Sequence, residues 1–249
     1  MAKPLCYRAG TGAACSWAQR VLEAHGLEFI GHISPEITHL LLDVPSFGPD
    51  GQLKGGGRPE TLLHMLPSGL TVIGGMLEHP ALAGYPVMDL LSDPAYLAQN
   101  AYITAECALE IAAPLLPTTF RDTPALVVGW GRIGKCLTHL LRAADCPVTV
   151  MARKEADRAM LEALGCPSQA PGVLPPGLGV IFNTAPEMVL TEDMLRPCGE
   201  CVKIDLASRR GIAGEDVIWA RGLPGVHAPK SSGKLIADTI LRRLKEETS

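Results

Sequence analysis

A glycine-rich segment near the middle of the chain has the residue types and spacing needed to hold a phosphorylated ligand. It lies between an apolar strand pattern and a helical pattern, and its residues are Gly129, Trp130, Gly131, Arg132, Ile133 and Gly134. Gly129 permits a tight turn, Gly131 lets the backbone approach a pyrophosphate, and Gly134 lets the helix pack closely on the strand. The helix N-terminus favours negative charge. The segment therefore predicts a dinucleotide-binding loop of the Rossmann type.

The residues after the next apolar strand, 147–151 (PVTVM), indicate which dinucleotide is bound. An NAD-specific site usually has an acid here, which binds the ribose 2′-hydroxyl. This chain has Ala152, Arg153 and Lys154 instead. A guanidinium binds phosphate through planar, bidentate contacts, so the sequence favours NADP, with NAD as the alternative. The competing interpretation is that both cations belong only to a solvated loop.

Two further strand patterns, residues 179–183 and 201–206, end in loops of interest. Ligands of open α/β sheets lie beyond the carboxyl ends of the strands. We therefore expect one turn to lie along the nicotinamide side of the cofactor; its residues are Asn183, Thr184, Ala185 and Pro186. Asp205 lies inside the second strand pattern, and we interpret it as a buried, hydrogen-bonded structural carboxylate rather than a catalytic one.

Strand and helix patterns alternate along the chain, which indicates parallel sheets covered by helices. We expect an α/β protein of two domains: a smaller, flavodoxin-like α/β domain over residues 1–120 and an NAD(P)-binding Rossmann domain with a doubly wound parallel sheet over 121–231. The first would end in a long helix from Pro94, capped by Asp93. An amphipathic helix over 232–249 would pack back on the first domain.

Composition excludes several classes of function. The formal charge of −4 and the pI near 6.0 argue against nucleic-acid binding. Because Met1-Ala2-Lys3-Pro4 precedes no signal-like apolar segment and no apolar run is long enough to span a membrane, we expect a soluble, cytoplasmic protein. Of eight cysteines only Cys198 and Cys201 form a CxxC pair, so we expect no metal site and no disulfide.

Three segments together resemble the A subunit of bacterial dipicolinate synthase, a dehydrogenase of spore-forming bacteria. Residues 100–106 (NAYITAE) are similar to the family's N-S-x-P-T-A-E-G, and residues 204–208 (IDLAS) match its I-D-L-A-S. Residues 222–233 (GLPGVHAPKSSG) are similar to G-L-P-G-x-x-A-P-K-T-A-G. The resemblance covers about residues 95–245. The chain departs from it at Ile103 and Cys107, in its opening RAGTG, and where Arg209-Arg210 replace Lys-Pro-Gly-Gly.

The resemblance implies a reaction and a partner. A hydroxylated tetrahydropyridine-2,6-dicarboxylate would lose water and a hydride, giving dipicolinate and reduced NADP. A flavodoxin-like B subunit is the implied partner, with a homo-oligomer as another assembly. The alternatives are another two-domain NADP dehydrogenase, of the 2-hydroxyacid, shikimate or methylenetetrahydrofolate type, and a non-catalytic NADP-binding subunit.

Residues of the three motifs supply the candidates for catalysis and substrate binding. Glu106 is either a general base or a favourable acid near a helix start, and Lys230 and Ser208 complete the catalytic set. The substrate-binding candidates are Thr104, Ala105, Arg209, Ser231 and Ser232. Cations suit two carboxylates, whereas the serines would either donate to a carboxylate or cap the last helix. We expect residues 104–106 and 229–232 at helix starts, contacting substrate between the domains.

Overall fold

Two parallel β-sheets organise the chain, each within its own unit of the computed structural model. The structure describes residues 4–246, so the prediction that rests on Met1, Ala2 and Lys3 falls outside the described residues. The first unit joins the residues up to Asn100 with those from Pro224 onward, and the second unit is Ala101–Leu223. The sequence predicts boundaries at residues 120 and 231, whereas the first of the two units ends at Asn100, inside the long helix Pro94–Ala112.

The first half of the chain alternates short strands with helices. Its elements are β1 (Leu5–Arg8), α1 (Ala13–Ala24), β2 (Glu28–Ile30), β3 (His39–Leu41), α2 (Pro59–His64), β4 (Thr71–Gly74), β5 (Val87–Asp89) and α3 (Pro94–Ala112). The second half continues with β6 (Ala125–Val128), α4 (Arg132–Ala143), β7 (Val148–Met151), α5 (Glu155–Ala163), β8 (Ser168–Gln169), β9 (Val180–Asn183), α6 (Glu192–Leu195), β10 (Val202–Asp205), β11 (Val217–Trp219), α7 (Leu223–His227) and α8 (Pro229–Glu246).

The sheet of the first unit has the strand order β2-β1-β3-β4-β5, and all its pairs are parallel. This is the flavodoxin-like order, so the predicted class of the N-terminal domain is confirmed. The central strands carry the buried apolar residues Leu40, Leu41, Val72 and Ile73. The outer strands β2 and β5 were not predicted, because each has only three residues and is partly exposed.

The sheet of the second unit has the strand order β11-β10-β9-β6-β7-β8, again entirely parallel. The order reverses between β6 and β9, as in the doubly wound Rossmann fold, which confirms the predicted class. Both central strands are buried along their whole length. Within residues 4–246, no helix has the length and apolar character needed to cross a bilayer.

Asp93 fixes the start of α3 and ties it to the last helix. Its Oδ1 accepts the backbone N–H groups of Ala95 and Tyr96, so the predicted N-cap is confirmed. Its Oδ2 accepts from Arg242 of α8 at 2.5 Å. The N–H of Tyr96 and the Arg242 guanidinium together lower the pKa of the Asp93 carboxyl, because both stabilise its charged form.

Helices α1 and α8 pack together closely within the first unit. Ile236, Ala237 and Ile240 of α8 share a buried cluster with Ala18 of α1. A Cβ on Gly233 would lie 2.5 Å from the carbonyl oxygen of Ala14 and 2.5 Å from the Cβ of Trp17. The C-terminal helix therefore packs on the N-terminal unit through a site that admits only glycine.

We expect Gly233→Ala to lower the free energy of unfolding by about 1–3 kcal/mol, since the added methyl must push two helix backbones apart. Gly225→Ala is the matched control, because a Cβ there meets no atom of the residues that the structure describes within 4 Å. That variant should be neutral or gain up to about 1 kcal/mol from helix propensity. Urea titrations of both variants would check this, and equal stability of the two would contradict the close packing.

Candidate dinucleotide site

The glycine loop makes a tight turn between β6 and α4. Gly129 has φ +99°, a conformation that strongly favours glycine. Its N–H donates to the carbonyl oxygen of Met151 at 2.9 Å, so the turn stays in register with β7. Gly131 immediately precedes the first helical residue, Arg132. The loop thus directs the N-terminus of α4 over the carboxyl edge of the sheet.

Gly134 brings α4 against the turn with no room for a side chain. A Cβ on it would lie 2.1 Å from the carbonyl oxygen of Gly129. Thr184 completes this contact: its Oγ1 donates to the carbonyl of Val128 at 2.9 Å and lies 2.6 Å from the position of a Cβ on Gly129. The glycine loop and the turn after β9 therefore form one packed structure.

Gly131 differs from the other two glycines of the motif, Gly129 and Gly134, because the space around it is open. It has φ −82°, and a Cβ there would meet no atom of the described residues within 4 Å. Its position before α4 supplies no side chain to cap the first N–H groups of that helix. Unsatisfied N–H groups and a close, bare backbone are what a pyrophosphate requires, so the loop fits a dinucleotide.

The loop after β7 holds the residues predicted to recognise a 2′-phosphate. Ala152 is buried, whereas Arg153 and Lys154 are exposed. The Arg153 guanidinium lies 3.4 Å from the Glu187 carboxylate, in the turn after β9. Arg158 donates to the carbonyl oxygens of both Ala152 and Arg153 at 2.8 Å, which fixes the loop backbone. The sequence analysis missed Arg158 and Glu187, because neither belongs to the glycine motif.

A buried carboxylate joins the loops that follow β9 and β10. Asp205 is fully buried and accepts from the Asn183 amide at 2.8 Å, which confirms its structural interpretation. It also accepts the backbone N–H groups of Ala207, Gly211 and Ile212. These four hydrogen bonds satisfy a charge that burial would otherwise make very costly. The Asn183 side chain also bonds the backbone of the turn that it begins, at Ala185.

The motif in α3 lies within the helix rather than at its start. Thr104 and Ala105 are buried, and Glu106 is exposed. Because α3 begins at Pro94, the prediction of a helix start at residues 104–106 is wrong. Glu106 therefore gains no support from the N-terminal end of a helix dipole, and the neighbouring N–H groups are committed to the helix.

The second motif, residues 229–232, lies at a helix start as predicted, but its serines do not occupy the N-cap position. Helix α8 begins at Pro229, so Lys230, Ser231 and Ser232 all lie in its first turn. The serines therefore follow the N-cap position instead of occupying it. Ser231 is exposed and Ser232 is buried. The exposed Lys230 ammonium lies 5.5 Å from the ring centroid of Trp17 in the first unit.

The predicted site residues divide between the two units. The carboxyl edge of the second sheet brings together the glycine loop and the residues following β7, β9 and β10, which include Ser208 and Arg209, both exposed. Thr104, Ala105 and Glu106 belong to the same unit on α3. Lys230, Ser231 and Ser232 belong to the first unit.

Comparisons with known proteins agree with this architecture, although no family model matches the sequence. The A subunit of dipicolinate synthase from Bacillus subtilis (strain 168) is 28% identical over 159 residues, which cover 59% of this chain and 54% of that protein. The match thus spans about half the length of that relative. The crystal structure of the same subunit from Bacillus halodurans has a TM-score of 0.80 at 20% identity, with 97% of both chains covered. The resemblance to this synthase is confirmed.

A D-lactate dehydrogenase from Escherichia coli shares the fold at a TM-score of 0.61 and 14% identity, over 98% of this chain and 97% of that one. The likeness to both proteins therefore extends over the two units, and the likeness to the synthase includes sequence as well. With the glycine loop, these similarities support an NAD(P)-binding, dehydrogenase-like protein.

Gly131→Val should abolish dinucleotide binding while leaving the fold intact. The side chain would occupy the space where the pyrophosphate approaches the backbone, yet its Cβ would meet no atom of residues 4–246 within 4 Å. Calorimetric titration with NADP and NAD measures the binding, and circular dichroism monitors the fold. A folded variant whose Kd equals that of the parent would show that the loop is not the site.

Proposed function

We propose that the protein is an NADP-dependent dehydrogenase that converts a hydroxylated tetrahydropyridine-2,6-dicarboxylate into dipicolinate. The observation that carries this proposal is the glycine loop, in which Gly134 is packed against Gly129 while Gly131 stays open. The proposal is supported by the sequence match to the A subunit of dipicolinate synthase. Because this match covers 59% of the present chain, it includes the middle of the chain, where the glycine loop lies.

Preference for NADP follows from the charges after β7. Arg153 and its neighbour Lys154 would hold the 2′-phosphate, where an NAD-specific protein has an acid. The carboxylate that the structure places beside Arg153 is that of Glu187, and both side chains are largely exposed. Exposed ion pairs contribute only about 0–1 kcal/mol, so a phosphate can replace Glu187 at small cost. Charge-assisted, bidentate bonds to phosphate are stronger than that pair.

The chemistry divides between cofactor and chain. When bound, the oxidised nicotinamide supplies the hydride acceptor. The substrate ring loses one water, then one hydride and one proton, and so becomes aromatic. Glu106 would accept the proton, as an exposed carboxylate on a rigid helix, and Ser208 would donate a hydrogen bond beside the reacting ring.

Lys230 and Arg209 would bind the two carboxylates of the substrate, assisted by the hydroxyl groups of Thr104, Ser231 and Ser232. Ala105, which is buried beside Thr104 in α3, would position that residue. A flavodoxin-like partner subunit, which the resemblance implies, would act together with this chain.

We expect the purified protein to reduce NADP when it is given freshly generated product of the lysine-pathway aldolase, with dipicolinate formed in equal amount. NADP should be used in preference to NAD. Arg153→Ala should weaken NADP binding about 10- to 150-fold and change NAD binding little, since it removes charge-assisted bonds made only to the 2′-phosphate. Absorbance of NADPH, chromatography of dipicolinate and calorimetry of both cofactors measure these quantities.

Arg121→Ala is the matched control, because it removes an exposed arginine of the same unit that pairs with Asp145. Equal affinity of the parent protein for NADP and NAD would contradict the proposed specificity. Tight NADP binding without turnover, with or without a flavodoxin-like partner, would favour the non-catalytic role. Turnover of a 2-hydroxyacid would favour that class of dehydrogenase.

A further inference from the structure

Residues 207–211, in the loop that follows β10, are anchored on both sides of an exposed tip. Asp205 accepts the backbone N–H groups of Ala207 and Gly211, so both ends of this segment are bound to one buried carboxylate. The indole Nε1 of Trp219 donates to the carbonyl oxygen of Ala207 at 3.1 Å. Between these anchors the loop presents the exposed residues 208–210 (SRR). Such a loop can hold charged groups in place before a ligand arrives.

Two arginines lie against the aromatic ring at the end of β11. The Cζ of Arg210 is 5.6 Å and the Cζ of Arg221 is 5.4 Å from the ring centroid of Trp219, whose residue is 41% exposed. A guanidinium on an aromatic ring keeps its planar set of N–H donors available for an anion. The ring itself is fixed by its hydrogen bond to Ala207. Arg209, Arg210, Arg221 and Trp219 are called the arginine–tryptophan patch below.

The three arginines of this patch differ in their ion pairing from other exposed arginines of the second unit. None of the three arginines forms an ion pair with any residue in the part of the chain that the structure describes. Other exposed arginines of the same unit do, as Arg153 with Glu187 and Arg196 with Asp193 show. The protein as a whole has a formal charge of −4. Arginines that form no ion pair with the described residues, held on an anchored loop and strand end of an acidic protein, indicate a binding site for an anion.

The patch lies at the end of the sheet edge away from the strands that would carry the adenosine part of a dinucleotide. In the strand order β11-β10-β9-β6-β7, the glycine loop follows β6 and Arg153 follows β7, so the adenosine part of a dinucleotide would lie over that end. The patch follows β10 and β11, on the other side of β9. Gly211 connects it to the turn after β9, since a Cβ there would lie 2.8 Å from the carbonyl oxygen of Ala185.

We propose that the arginine–tryptophan patch is the binding site for the planar dicarboxylate on which the protein acts. The inference rests on the proposed function and extends it, because it assigns Arg210, Arg221 and Trp219, which no motif of the resemblance contains. A pyridine-2,6-dicarboxylate carries two carboxylates in the plane of one rigid ring. Several planar guanidinium groups in a fixed arrangement match that geometry, because each can form two parallel hydrogen bonds to one carboxylate.

Calorimetric titration with pyridine-2,6-dicarboxylate tests the proposal in the presence of saturating NADP. Arg210→Ala and Arg221→Ala should each raise its Kd at least about tenfold, because charge-assisted bonds are lost. Arg210→Lys should also weaken binding, since it keeps the charge but not the planar donor set. Arg196→Ala removes an exposed arginine outside the patch and should leave the Kd unchanged. The Kd for NADP, measured in a separate titration of each variant without the dicarboxylate, should be the same in all variants.

Two results would overturn the proposal. One is a Kd for the dicarboxylate in Arg210→Ala and Arg221→Ala equal to that in Arg196→Ala. The other is equal affinity for pyridine-2-carboxylate or inorganic phosphate, which would make the patch an unselective cationic surface. Failure of the proposed function is read separately, because it appears as absent NADP reduction by the parent protein. Thermal unfolding of each variant shows whether it is folded. A folded Arg210→Lys protein with weakened binding of the dicarboxylate has lost recognition rather than stability.

Discussion

The carboxylate of Asp205 is the interaction on which the candidate site depends. A buried charge is strongly unfavourable unless hydrogen bonds replace its water, and here a side-chain amide and three backbone N–H groups do so. Because the amide belongs to Asn183 at the end of β9 and the N–H groups to the loop after β10, one group determines the geometry of both loops. Removing it would leave several donors without a partner, at a cost well above that of an exposed contact.

A second constraint is steric and concerns the glycine loop. Gly129 and Gly134 are required by the fold itself, since the carbonyl of one occupies the place of a side chain on the other. At Gly131, a Cβ would contact no atom within 4 Å in the part of the chain that the structure describes, so packing does not require a glycine there. Two glycines therefore serve the structure of the loop, and the third leaves space for a ligand. This division explains why a motif of three glycines points to binding as well as to folding.

Local patterns made much of the fold predictable. The strand–loop–helix context identified the Rossmann unit, the pair Asp93-Pro94 identified the start of α3, and the position of Asp205 within an apolar strand identified a structural carboxylate. Glu106 lies within α3 rather than near its start, because the helical pattern that begins at Pro94 runs through the motif without a break. The short outer strands β2 and β5 gave no clear periodic pattern.

The remaining features depend on contacts between distant residues. Arg153 meets Glu187 across two loops, and Arg210 meets Trp219 only because β10 and β11 are paired. No spacing along the chain reveals such neighbours. The residues of the proposed dicarboxylate site therefore become neighbours only in the folded chain, whereas the candidate cofactor loop is recognisable from the glycine motif alone.

Hydrogen–deuterium exchange with and without NADPH tests whether a dinucleotide lies on the N-terminus of α4. The backbone amides of residues 130–136 should exchange more slowly when NADPH is bound, because their N–H groups then donate to the pyrophosphate. Amides of α1 in the first unit provide the internal reference. Binding of NADPH with unchanged exchange over residues 130–136 would contradict the account, since the cofactor would then lie elsewhere.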